Sequence, residues 1–489
     1  MKPVRFALAL ALILSLLSLP ARAARQPVPV ERAVVKVFTV ATAPSYDQPW
    51  QTRPQEMQIG SGVVIAPNQV LTNAHVVANA TYVQLQRQGD PNKYPARVVL
   101  AGHEADLALL EVADPKFSAG VIPLEIGEMP KVRDQVLAYG FPVGGDMLSI
   151  TEGVVSRIEM GQYSHCLRKL PQIQIDAPIN PGNSGGPVIK DGRIVGIAFQ
   201  GIGAAENVGY MIPPMIVRHF LEDAKDGKYD GFPSLGVEIE ELENPYHRQA
   251  LGLPDDRTGV LVTRVAFDSS AWNLLRENDV IMSIAGQAIA NDGTIPFVGE
   301  ERILFAYALV PMFPGQSVKL ALWRDRKAME IELPLKNGKS LVSTCEYDVM
   351  PSYYIFGGLL FTPLSLNYLQ TWDQNWWYAS PVELRYHFIQ DIITPDRRQI
   401  VVLQAVLADA VNVGYHREEN LVVTRVNGQP LRDLADLIAK IEGADGAFIV
   451  VETEEGKKVV LRKEAALAAN PGILERYRIP ADRSPDLKK

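Results

Sequence analysis

From Ala33 onward the chain is written as short apolar, β-branched runs parted by turn-forming residues. Residues 34–40, 61–65, 70–73, 82–85 and 96–100 each read as a strand, and a Pro67-Asn68 turn separates the second from the third. Strands this short, recurring every ~8–12 residues, predict an all-β barrel or sandwich. Residues 43–57 are polar and proline-bearing and read as a loop, with Tyr46 and Trp50 as its aromatic members. Residues 107–110 form a further strand headed by Asp106. Residues 188–197 read as a hairpin around Lys190-Asp191-Gly192. Residues 216–221 then suggest a short helix, with His219 as a structural residue, and the Asp/Gly/Lys run at 225–228 reads as a linker.

Past that linker the β pattern starts again, twice. Ser234-Leu235-Gly236-Val237 opens one unit, with strands at 259–262 and 278–284, a hairpin of 317–323 with 328–333, and a helix carrying Leu304 and Leu309 on one face. Phe356-Gly357-Gly358-Leu359 opens the next, with a strand at 420–426, an Asn427-Gly428 turn and a helix over 431–441. The second unit carries an insertion over 362–399 holding Trp372, Trp376 and Trp377, expected to pack against a neighbouring domain or subunit. The stretch after Pro480 is polar and reads as a mobile tail.

A chain of 489 residues has room for about three domains at ~100–200 residues each. A net charge of −8 gives no basic face for nucleic acid, and the seven histidines follow no metal-ligand spacing such as HExxH, so neither a nucleic-acid partner nor a metal site is expected. Lys2 and Arg5, an apolar run over 6–19 and the Ala21-Arg22-Ala23 sequence read as a signal peptide of residues 1–23, too short for a membrane span. Its removal takes away Lys2, Arg5 and Arg22 and moves the charge from −8 to −11. The expected location is therefore outside the cytoplasm, in the periplasm or secreted, with no stable membrane span. Export permits a disulfide. Cys166 and Cys345 fall in different units, however, and are expected as two unpaired thiols.

The densest chemical signal is Asn180-Pro181-Gly182-Asn183-Ser184-Gly185-Gly186-Pro187. Glycines let backbone N–H groups approach a ligand closely, and a serine among them can act as a nucleophile beside its own oxyanion donors. Taken alone the stretch also fits a plain Gly/Asn turn, or the G-x-S-x-G elbow of an α/β-hydrolase. The elbow needs an apolar strand before the serine, a helix after it, and the acid and histidine downstream. Here Pro178 and Pro181 break the approach, a hairpin follows, and His219, His247, His387 and His416 show no partner pattern. Upstream, His75 sits just after a strand, and Asp106 heads an apolar one, closer to it than its rival Glu104. The order His75, Asp106, Ser184 on short strands is that of the double-barrel serine proteases.

Thr72-Asn73-Ala74-His75-Val76-Val77, Asp106-Leu107-Ala108-Leu109-Leu110 and the Ser184 stretch resemble the three signature blocks of the HtrA/Deg serine endoproteases. Gly60-Ser61-Gly62-Val63-Val64-Ile65 and Ile175-Asp176-Ala177 are similar to its supporting blocks. Residues 206–213 and 351–358 are similar to the plant-type Deg branch, so the resemblance spans nearly the whole chain after residue 23. It implies a mainly β protein with a chymotrypsin-like double β-barrel over 32–225, a PDZ domain over 232–337, a PDZ-like domain over 351–466 with a helical insertion, and a tail over 467–489. It implies an ATP-independent, cofactor-free endopeptidase for unfolded or damaged proteins, with Ser184 as nucleophile, His75 as base and Asp106 as orienting acid. Gly182, Asn183 and Ser184 would supply the oxyanion hole. Pro178, six residues before the nucleophile, would stand at the base of the primary pocket, where an Asp would select Lys or Arg. With Ile179, Ile197 and Phe199 as walls, small or medium aliphatic residues are expected there. Ser234, Leu235, Gly236 and Val237 would bind a peptide terminus, and an edge strand would take up the extended peptide. The family implies trimer-based oligomers, trimeric or hexameric, with Tyr46 and Trp50 as candidate contacts, and leaves the second PDZ-like unit open to either assembly or substrate binding. The rival reading is a PDZ-based holdase or scaffold whose protease site is inactive or gated.

Overall fold

The apolar runs close into two barrels. The computed structural model of the chain describes residues 30–143, 145, 147–201, 208–373 and 375–488; the signal-peptide reading of residues 1–23 and the Glu206-Asn207 start of one family-like block lie outside them. The first barrel is built from β1 (Val34–Ala41), β2 (Glu56–Ala66), β3 (Gln69–Thr72), β4 (Ala80–Arg87), β5 (Tyr94–Gly102) and β6 (Leu107–Val112), closed in the order β1-β2-β3-β6-β5-β4. The second uses β7 (Gln135–Gly140), β8 (Ser149–Gln162), β9 (Lys169–Ile175), β10 (Pro187–Lys190), β11 (Arg193–Gly201) and β12 (Gly209–Ile212), closed in the order β10-β11-β12-β9-β8-β7. One apolar cluster, including Val63, Leu71, Leu110, Tyr139, Phe141 and Phe199, spans the seam between them. β10 and β11 pair from Lys190↔Arg193 around Asp191 and Gly192, so a hairpin, not the helix an elbow requires, follows the Ser184 stretch.

The connection at 225–230 is pinned rather than loose. Asp223 accepts the amides of Asp230 and Gly231 at 2.9 Å, and Glu104 accepts that of Phe232 at 2.7 Å. His219 is structural: it bonds the Gly231 carbonyl at 3.1 Å and stacks between Phe232 and Phe313, which fastens the helix Pro214–Asp223 to the next unit. That unit is a sheet of Val237–Glu241, Val260–Val265, Val280–Ile284, Ser317–Arg324 and Lys327–Pro334 in that spatial order. The helix expected around Leu304 and Leu309 is instead a strand, Arg302–Leu304, followed by a 3₁₀ turn, Phe305–Leu309. Leu304 points to solvent while Leu309 is buried, so the two share no face.

The last sheet contains Tyr354–Phe356, Leu359–Pro363, Val401–Val406, Leu421–Val426, Phe448–Thr453 and Lys458–Arg462. The chain past residue 466 is folded, not a tail. The helix Lys463–Arg476 buries Ile473, and residues 482–484 bond along Tyr353 and Ile355 because the outer edge of Tyr354–Phe356 has backbone groups to satisfy. The insertion is helical, and Trp372 and Trp376 pack on a cluster that includes Tyr46, Leu341 and Leu384. Tyr46 is thus buried inside its own chain, and Trp50 meets Tyr353 edge to face at 5.7 Å. Both aromatics seat the β1–β2 loop on the C-terminal unit, and the burial of Tyr46 leaves Trp50 as the more accessible of the two candidates for the expected trimer contact.

The cysteines are also corrected. Cys166, in the β8–β9 loop, and Cys345, on the connection between the last two sheets, form a disulfide with Cα atoms 4.9 Å apart. Their separation of 179 residues in sequence says nothing of this, because the connection lies along the β8–β9 loop: the Tyr347 hydroxyl donates to the His165 carbonyl at 2.8 Å.

Candidate active site

The antiparallel register Thr72↔Ala108 ends β3 and starts β6 at the same rim of the first barrel. His75 lies on the single turn Ala74–Val77 just beyond β3, and Asp106 occupies the last position before β6 with a left-handed φ of 52°. Asp106 is 1% exposed, so its carboxylate needs partners. One oxygen accepts the His75 amide at 2.8 Å and the other holds His75 Nδ1 at 2.7 Å. Asn73 clamps the same corner by donating to the Asp106 carbonyl at 2.8 Å. The imidazole is a third exposed. Its burial disfavours the cation, but the Asp106 charge and hydrogen bond outweigh that and hold its pKa above 6.5. Glu104, the rival carboxylate, faces away into the interdomain connection.

Ser184 approaches from the second barrel. Ser61, fully buried on β2, stitches its loop to the first: its amide donates to the Ser184 carbonyl at 2.8 Å, and its hydroxyl donates to the Gly182 carbonyl at 2.7 Å while accepting the Phe141 amide at 2.8 Å. The sequence marks Ser61 only as part of a supporting block. Gly182 has a φ of 98°, and a Cβ there would lie 2.4 Å from the Phe141 carbonyl oxygen, so only glycine fits. The Pro181 carbonyl accepts the Val143 amide at 2.9 Å, and the planar peptide therefore aims the Gly182 N–H the opposite way. Neither Gly182 nor Ser184 donates its amide to a backbone acceptor among the described residues. Asn183 does not join them. Its amide is spent on the Asn180 carbonyl at 2.9 Å, and its side chain is buried, which removes it from the expected oxyanion donors. The Ser184 hydroxyl donates to the Phe199 carbonyl at 3.5 Å rather than to His75.

Of the expected pocket residues, Ile197 and Phe199 lie in the barrel core, with Phe199 against Tyr163 at 4.6 Å. Pro178 and Ile179 are half-buried on the approach to Ser184, and Ile179 fills the space left by Gly209. Ser234, Leu235, Gly236 and Val237 line a separate hollow of about 210 Å³ with Phe305, Ala306 and Leu309, and Val237–Glu241 is the edge strand of its sheet. No group of three or more metal-ligating side chains is gathered among the described residues, and no helix among them is long and apolar enough to cross a membrane. His103, His165 and Tyr347, which the sequence reading did not single out, stand beside His75; their one local signal is the adjacency of His165 to Cys166.

Residues 60–197 match the trypsin-like peptidase domain family, and residues 342–486 match a PDZ domain family, a span that takes in the chain past 466. Protease Do-like 2, chloroplastic, of Arabidopsis thaliana is 40% identical over 459 residues, covering 93% of this chain and 75% of that one. Protease Do-like 4, mitochondrial, of the same plant is 39% identical over 450 residues, covering 92% and 84%. Among solved structures, an HtrA-type protease AlgW variant with decapeptide superposes with a TM-score of 0.50 at 25% identity, covering 63% of this chain and 95% of that one.

Proposed function

This chain belongs to the HtrA/Deg, or Do-like, family of serine endopeptidases, and from that premise we propose that Ser184, His75 and Asp106 are its catalytic triad. The observation that carries the reading is the buried Asp106 carboxylate, which grips both the Nδ1 and the amide of His75 and leaves Nε2 free to face a nucleophile. Ser184 Oγ attacks the scissile carbonyl and His75 takes its proton; the imidazolium, stabilised by Asp106, then passes it to the leaving amine. The Gly182 and Ser184 amides receive the oxyanion, each donor being worth ~10²–10³ in rate. Ser184 Oγ must rotate from the Phe199 carbonyl towards His75, an adjustment substrate binding supplies in many proteases.

The substrates proposed are unfolded proteins, cut without ATP or cofactor after small or medium aliphatic residues. The hollow at Ser234–Val237 takes a peptide terminus, and the chain works as a homo-oligomer. Residues 1–23 support export, although the relatives' names place those proteins in chloroplasts and mitochondria.

Digestion of an unfolded protein by the purified chain and by Ser184→Ala, without ATP, tests this. Cleavage by the wild type alone is expected. Equal cleavage by both sinks the assignment of Ser184, and cleavage by neither favours the holdase reading. The pH profile adds a sign. Because the base form of His75 is required and its pKa is raised, kcat/KM falls as pH drops, with the acid-limb midpoint above 6.5. An Asp106→Asn variant loses about 10⁴-fold in kcat.

A further inference from the structure

A hollow of about 230 Å³ lies beside His75 and shares no residue with the proposed primary pocket. Its lining includes the rings of His75, His165 and Tyr347 and the small apolar Ala41, Pro54 and Ala78. Arg53 and Glu56 also line it with opposite charges, so it favours neither sign of ligand. Tyr347 belongs to neither barrel. It comes from the connection that leads to the last sheet, and that strap is fixed at consecutive points. Cys345 is bonded to Cys166. The Tyr347 ring stacks on His165 with centroids 4.0 Å apart and on His103 at 4.9 Å. The Asp348 amide donates to the Asn79 side chain at 2.9 Å, and its carboxylate bonds His103 Nε2 at 2.9 Å. His165 in turn meets His103 Nδ1 at 2.9 Å and has its ring centre 6.1 Å from that of His75. Burial, helped by His103 and His75, pushes the His165 pKa down to about 4 against the pull of Asp106, so its ring is uncharged at neutral pH.

We infer that this hollow is a second substrate subsite, and that Tyr347 and His165 determine which side chain it takes: an aliphatic or aromatic one, flanking the residue in the primary pocket. The inference rests on the Ser184–His75–Asp106 reading. A region outside both barrels thus writes part of the cleavage specificity, because the disulfide and the ring stack hold it against the site.

The test uses the full chain and two peptides that differ only in having Leu or Gly at a flanking position, chosen from a wild-type library digest. Tyr347→Ala is expected to reduce the Leu/Gly ratio of kcat/KM by roughly tenfold, the range for one apolar contact, mainly through KM. Tyr347→Phe keeps the stack and keeps the ratio. Since Tyr347→Ala can unseat the strap, Pro54→Trp, at an exposed position of the lining, is the second variant and should lower the ratio by filling the hollow. An unchanged ratio in Tyr347→Ala and Pro54→Trp overturns the inference, and so does an equal loss on both peptides, which marks a structural role. Cleavage surviving in Ser184→Ala would instead overturn the triad and is read separately.

Discussion

Ser234-Leu235-Gly236-Val237 and Phe356-Gly357-Gly358-Leu359 are written alike, as glycine between apolar residues at the head of a strand, yet one edge is open and the other shut. After the first, Val237–Glu241 pairs, among the described residues, only with Val260–Val265 and leaves an edge beside the 210 Å³ hollow. After the second, Leu359–Pro363 is flanked by Val401–Val406 on one side and Tyr354–Phe356 on the other. Gly357 and Gly358 are the two-residue turn of that hairpin. Their φ values of 55° and 84° are both positive, as a type I′ turn requires. The cause lies just upstream. The apolar residues 353–356 can fold back as a strand, whereas Pro233 and Ser234 leave to pair with Lys336–Asn337. The chain's own residues 482–484 then close the outer edge of the second unit. A similar stretch thus stands beside an open strand edge in the first unit and inside a closed hairpin in the second.

Deleting residues 479–489 should break the second unit hardest. Ile479 is 6% exposed, and exposing it alone costs about 1.5–3 kcal/mol, before the bonds to Tyr353 and Ile355 are lost. Thermal unfolding should show a lowered Tm. An unchanged Tm removes the contrast. A somewhat smaller loss is expected from Gly358→Val, whose Cβ would stand 2.4 Å from the Leu407 carbonyl oxygen at a φ few side chains tolerate, a strain of about 1–3 kcal/mol. Denaturant unfolding measures it, and a neutral result would mean the hairpin does not shut the edge.

What the sequence told and withheld follows the same division. The pairing of His75 with Asp106 is legible because each sits in a short local block, and the register Thr72↔Ala108 needs only two neighbouring strands. The β10–β11 hairpin was legible from the residues of its own turn. The hairpin at Gly357-Gly358, the buried Tyr46 and the Cys166–Cys345 bond were not, because each depends on which distant segment lies alongside. Asn183 was misplaced for a finer reason: residue type shows that an amide exists, not where the turn points it. Likewise the Leu304 and Leu309 spacing fitted a helix until the pairing of Arg302–Leu304 with Thr294–Pro296 took the first of them into a strand.

The open unit can be probed without touching its core. Ala306 is exposed and lines the hollow beside Gly236. Ala306→Trp should fill that space and weaken peptide binding by about tenfold or more, the scale of a blocked apolar pocket, with Tm unchanged. Fluorescence anisotropy with a labelled peptide reads the affinity. Full-strength binding would show that the peptide sits elsewhere and that the open edge is not used.

The smallest effect bears on what keeps each glycine loop in place. In the second unit Asn470, on the helix Lys463–Arg476, accepts the Gly357 amide at 2.9 Å and donates to the Ile355 carbonyl at 3.2 Å. In the first unit the Gly236 amide donates to Ser234 Oγ of its own loop, at 3.2 Å. Asn470→Ala removes both partners of a hairpin that cannot be fully rehydrated, a cost of about 1–2 kcal/mol. Ser234→Ala leaves an amide at an open hollow that water can reach, so its cost should stay within about 0.5 kcal/mol. Measured side by side in urea, the two should differ in that direction. Equal costs would mean that the first loop is locked as firmly as the second, and that the two loops differ in outline but not in their readiness to take a ligand.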